Sequence, residues 1–167
     1  MKRFVLTTMV AACALAVSPS IRAQDCGNWS NGQLRGTYTM SGSGWADPSK
    51  KAAGLPEGLV PTGWAGALVL DGKGAGSGWV AVNVGGVQLN AEFVKMTYEV
   101  KADCRVNITY SMKVKELGGA TIGPESRIFV LVPRGVNGQD LELRGMIVGK
   151  GPGNEIDSCV AYRISMQ

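Results

Sequence analysis

Residues 105–115 alternate with period two: Val106, Ile108, Tyr110, Met112 and Val114 share one side, and Arg105, Asn107, Thr109, Ser111 and Lys113 share the other. Such a segment has one dry face and one wet face, which describes a strand of a sheet packed on one side. The same grammar recurs along the chain, interrupted by glycines. All 24 glycines lie beyond residue 23 and cluster where the alternation pauses, so they read as turns. Eight strands are expected, over Leu34–Gly44, Gly63–Leu70, Gly76–Val84, Val87–Val100, Arg105–Lys115, Arg127–Val132, Leu141–Val148 and Cys159–Met166. The fourth changes phase: Leu89, Ala91 and Phe93 alternate first, then Val94, Met96, Tyr98 and Val100, as a bulge near Phe93–Val94 would produce. In the eighth, Val160, Tyr162, Ile164 and Met166 form the expected dry face against Ala161, Arg163 and Ser165. Leu117–Pro124, with three glycines and a proline, reads as a loop. No segment beyond residue 23 has a helical period.

Short links between successive strands imply antiparallel neighbours. The expected fold class is therefore all-β: an up-and-down meander of about eight strands, closed into a barrel, with a two-sheet β-sandwich as the alternative. In a barrel the links alternate between ends. The compact links after strands two, four and six fall at one end. The long ones, Ser43–Thr62, Glu116–Ser126 and Gly149–Ser158, fall at the other, which makes that end the natural mouth. It carries Trp45, Trp64, three prolines and the Lys50–Lys51 pair.

The N-terminus sets the compartment. Met1-Lys2-Arg3 is a short basic region, Phe4–Val17 is apolar but too short to span a bilayer, and Ile21-Arg22-Ala23 offers a small residue for cleavage. This is the three-part pattern of a secretory signal peptide over residues 1–23, leaving 24–167 as one barrel domain in the periplasm or outside the cell. A competing reading takes Val10-Ala11-Ala12-Cys13 as a lipoprotein signal, with the chain lipid-anchored at Cys13. Residues 1–23 hold Lys2, Arg3, Arg22 and none of the 13 acids, so without them the net charge falls from +4 to +1. Only Lys50–Lys51 is then a basic pair, which argues against nucleic acid as a partner. The polar outer faces of the strands argue against an outer-membrane barrel, and no membrane span is expected.

Chemistry is sparse. The chain has no histidine, which removes His-based nucleophilic triads and His-ligated metal. No CxxC spacing supports structural zinc, so neither metal nor cofactor is expected. Asp71-Gly-Lys-Gly-Ala-Gly-Ser-Gly78 lacks the ending of a phosphate loop and the acidic series of a calcium loop, and reads as a hairpin. Glu92 and Glu99 lie on the strand that changes phase, so one of them could point inward as a general acid or base; a solvated outer position is the plainer reading. Trp45 and Trp64 bracket the first long loop and could stack on a ligand or cap the core. Tyr98 and Tyr110 fall on inward positions. Trp45, Trp64, Tyr98, Tyr110 and Glu92 are thus the expected ligand-binding residues, with no catalytic group assigned.

Cys26, Cys104 and Cys159 remain after cleavage at Ala23, and export favours one disulfide. Cys26 precedes the first strand and Cys104 opens the fifth; both starts fall at the compact end. The expected pair is Cys26–Cys104, with Gln24–Gln33 crossing that end as a lid; Cys26–Cys159 is the rival.

Three stretches carry a resemblance: Cys26 with Leu34-Arg-Gly-Thr-Tyr-Thr-Met-Ser-Gly-Ser-Gly44, Leu68-Val-Leu-Asp-Gly-Lys-Gly74, and Tyr98-Glu-Val100 with Asp103-Cys104. They are similar to a group of small exported bacterial all-β proteins of unassigned function. At the level of fold alone, the layout resembles calycin and allene-oxide-cyclase-type barrels, which implies a small apolar ligand. The functions left standing are an exported non-catalytic binding or interaction module, holding a small apolar ligand or an envelope partner; a cofactor-independent isomerase or cyclase; and a structural envelope lipoprotein.

Overall fold

A closed ring of eight antiparallel strands, each hydrogen-bonded to its neighbours in sequence, forms the protein in the computed structural model, which describes residues 29–134, 140–148 and 156–165. The strands are β1 (Gly36–Ala46), β2 (Val60–Leu70), β3 (Gly76–Val84), β4 (Val87–Val100), β5 (Arg105–Val114), β6 (Ala120–Arg134), β7 (Asp140–Val148) and β8 (Ile156–Ser165). β8 returns to β1 through nine paired positions, so among the described residues no sheet edge is left open and the sandwich alternative falls away. Among the described residues no helix is long and apolar enough to cross a membrane.

Period two places the interior. Val106, Ile108, Tyr110 and Val114 of β5 are buried, as are Leu89, Ala91, Phe93, Met96 and Tyr98 of β4. The phase change in β4 is a register slip against β5 between Phe93 and Lys95, and the extra residue, Val94, is exposed on the outside.

Two expectations are corrected. The first is the loop at Leu117–Pro124. Only Lys115–Leu117 forms a short 3-10 turn; Gly118 follows in the left-handed region, and β6 starts at Ala120. The strand runs through Gly123-Pro124 because Gly123 adopts φ +114°, which L side chains rarely take, while the register with β5 slips between Tyr110 and Met112. The second correction is the phase of β8. Ala161 is buried inside, and Tyr162 and Ile164 face out at 41% and 64% exposure. Ala161 sits between Met40 on β1 and Leu143 on β7, so a small side chain fits where large inward neighbours already fill the space. The outer wall is accordingly less polar than the pattern suggested: Trp45, Trp79, Ile128 and Val130 are also exposed there.

The two ends differ. At the compact end Asn31–Leu34 makes a 3-10 turn that lies across the barrel, with Leu34 fully buried. The Asn31 side-chain oxygen accepts the Val100 N–H at 2.9 Å, stitching this segment to β4. Asp71 accepts the N–H groups of Lys73, Gly74 and Ala75 at 2.7, 3.0 and 2.9 Å, which holds its carboxyl below the ordinary carboxylate range. Leu34, Tyr38, Leu70, Val106, Leu131 and Leu143, none more than 1% exposed, fill the barrel here. Burial pushes the Tyr38 hydroxyl up to about 12, against the opposing pull of Arg163. Cys104 is disulfide-bonded and Cys159 is a thiol; Cys26 and residues 1–23, where a signal peptide is expected, lie outside the described residues. At the other end, residues 47–59 form the long β1–β2 connection, whose Pro48 and Leu55 turn inward and are buried.

Candidate functional site

Between the packed lower half and the inturned loop lies a cavity of about 130 Å³. Its wall is mainly apolar. Met40, Trp64, Leu68, Val80, Val82, Leu89, Phe93, Met96, Ile108, Met112 and Phe129 contribute from six strands, and Pro48 and Leu55 from the loop. Phe93 and Tyr110 meet edge to face, with centroids 5.2 Å apart.

Four connected polar side chains converge on this apolar space, Lys51, Tyr110, Glu125 and Arg127, and Thr62 of β2 also lines it. Lys51 reaches down from the long loop and donates to Glu125 Oε1 at 2.6 Å. The Tyr110 hydroxyl donates to Glu125 Oε2 at 3.2 Å and accepts a hydrogen bond from Arg127 Nε. Arg127 Nη2 lies 3.7 Å from the same Oε2. The three charged side chains retain only 13–16% of their exposure, so their pairing operates with much of the water removed.

Arg127 also binds through its face. Its Cζ lies 5.5 Å from the centre of the Trp64 ring and 5.7 Å from that of Tyr110. Trp64 is on β2 and Arg127 on β6, on opposite sides of the ring of strands, so this contact spans the lumen. Trp64 can lie flat against the wall because its partner on β1 is Gly42. A Cβ at Gly42 would sit 2.2 Å from Trp64 Cζ2.

The residues expected from sequence divide. Trp64 and Tyr110 line the cavity. Trp45, adjacent in sequence to the long loop, points out and is 51% exposed, because its parity on β1 is opposite to that of buried Ala46. Glu92 stands on the outer wall, exposed, between Trp79 of β3 and Lys113 of β5. Tyr98 is inward but at the compact end. Its hydroxyl accepts the Gly72 N–H at 2.7 Å, and burial is the main cause of its raised pKa. Of the four tyrosines, Tyr38 and Tyr98 pack the lower half of the barrel, Tyr110 borders the cavity and Tyr162 is outside.

Glu125 and Arg127 were missing from the expected site. They share parity with buried Phe129 and Leu131, and that parity, carried back past Ser126, was the available signal. Lys51 was visible as half of the basic pair at the mouth. No family model, curated protein or solved structure matches the chain.

Proposed function

We propose that this chain is an exported, non-catalytic binding module that holds a small, largely apolar ligand in the upper half of its barrel. One observation carries the reading: an apolar cavity of about 130 Å³ with a cluster of polar side chains along one wall. An apolar void of about 150 Å³ is large enough to take up benzene, so this space suits a ligand of similar bulk. The long-loop end is the entrance. Lys51 on the loop and Glu125 on β6 tie the loop over it.

Binding is favoured over catalysis by the state of the polar groups. Both oxygens of Glu125, the carboxylate that borders the cavity, already accept hydrogen bonds from Lys51 and Tyr110. Glu92, which would have to point inward to act as a general acid or base, faces outward on β4. Export rests on the signal-like residues 1–23 and on the disulfide state of Cys104. Native mass spectrometry of protein purified from its own host tests the reading. A small adduct, absent from a variant whose cavity is filled by Ala91→Phe, is the expected result. Adduct-free protein that also takes up no small apolar compound when these are added would overturn it.

A further inference from the structure

We infer that the ligand class is a single aromatic ring carrying one hydrogen-bonding substituent. The inference rests on the binding reading above and narrows it. Volume sets the first limit: about 130 Å³ is close to the apolar void that takes up benzene, so the space suits one ring rather than a long acyl chain.

The second limit is the character of the wall. Trp64, Phe93 and Tyr110 surround the space with ring faces and edges, and Met40, Met96 and Met112 border it with thioethers. Rings prefer edge-to-face or offset contacts with other rings, and sulfur makes favourable contacts at ring edges. A saturated ring or branched chain of equal bulk gains the same burial but neither of these contacts. The Phe93–Tyr110 pair already shows the edge-to-face geometry within the wall.

The third limit is the asymmetry of polarity. Lys51, Tyr110, Glu125 and Arg127 form one connected group on the β5–β6 side, while β3 and β4 present Val80, Val82, Leu89 and Phe93. A ligand lying between them meets this connected group of donors and acceptors on one edge, while Thr62 of β2 brings a hydroxyl and Cys159 of β8 a sulfur to the rest of the wall. A hydroxyl, which both donates and accepts, can join that network without an unpaired partner on either side.

Three probes of similar bulk separate the parts of this inference: benzyl alcohol, toluene and cyclohexylmethanol, titrated by calorimetry into the intact protein. Benzyl alcohol should bind about fivefold more tightly than cyclohexylmethanol, through the ring contacts, and about fivefold more tightly than toluene, through the hydroxyl. In Tyr110→Phe, checked for retained fold by circular dichroism, the advantage over toluene should shrink. Cyclohexylmethanol binding as well as benzyl alcohol would overturn the aromatic assignment while leaving the pocket in place. Toluene binding as well as benzyl alcohol would overturn the polar substituent. Failure of all three to bind would overturn the pocket reading itself, and this inference with it.

Discussion

Arg127 on β6 holds its guanidinium carbon 5.5 Å from the ring of Trp64 on β2, across the lumen of the barrel. The same side chain contacts the Tyr110 hydroxyl and Glu125, so one residue ties the apolar wall to the polar one. Truncating it removes a cation from a largely dehydrated carboxylate and a stacking partner from an indole. Arg127→Ala should therefore cost about 2 kcal/mol of stability. Urea unfolding checks this; a loss below about 0.5 kcal/mol, the range of ordinary surface changes, would mean that solvent replaces the contact.

Gly42 sets where Trp64 lies. An added Cβ would stand 2.2 Å from Trp64 Cζ2 and 2.6 Å from the Ser158 carbonyl oxygen, and the second of these neighbours is backbone. Gly42→Ala should cost about 1–3 kcal/mol, as overpacking does, and displace the indole toward the lumen. Tryptophan emission and the unfolding midpoint should shift together. An unchanged midpoint would show that the β1–β8 contact gives way without strain.

How much of this was legible in the sequence depended on whether the two parities of a strand differ. β5 alternates cleanly, and Val106, Ile108, Tyr110 and Val114 are buried as the pattern requires. β3 and β4 have the expected bounds, set by Gly85 and Gly86, which both take positive φ in the tight turn between them. β6 is apolar on both parities around Ile128–Leu131, so pattern alone could not say which side Arg127 takes. Gly123-Pro124 then hid the first half of that strand, and Glu125 with it. In β8 the larger side chains point outward, because the room left inside by Met40 and Leu143 suits Ala161. Size alone misreads the phase there.

The hairpin at residues 71–75 should be sensitive to acid. The Asp71 carboxyl is held below its ordinary value by the N–H groups of Lys73, Ala75 and Gly74. A depressed folded-state pKa means that its stabilising effect is complete above the unfolded value of 3.8 and is lost as pH falls through the lower folded one. Asp71→Asn should thus be less stable than the natural protein near neutral pH, with the gap closing in strong acid. Denaturation midpoints of the two proteins at both pH values test this; a gap independent of pH would contradict the assignment.

Cys26 is expected to pair with Cys104. Cys104 is in the disulfide state, Cys159 is a thiol, and Asn31–Leu34 already lies across the end of the barrel where β5 begins. Closing a loop of that length should contribute roughly 2–4 kcal/mol. Non-reducing peptide mapping should yield a linked Cys26–Cys104 peptide. A Cys26–Cys159 link would refute both the pairing and the tethered segment.

Entry of small apolar ligands into the upper half of the barrel is reported directly by methionine methyl resonances. Met40, Met96 and Met112 border the cavity, and the sequence has seven methionines in all. In protein labelled at the methionine methyl carbons, titration with toluene should shift these three signals through the ring current of the bound ligand. Saturating toluene that moves none of the three would contradict binding in the upper half of the barrel.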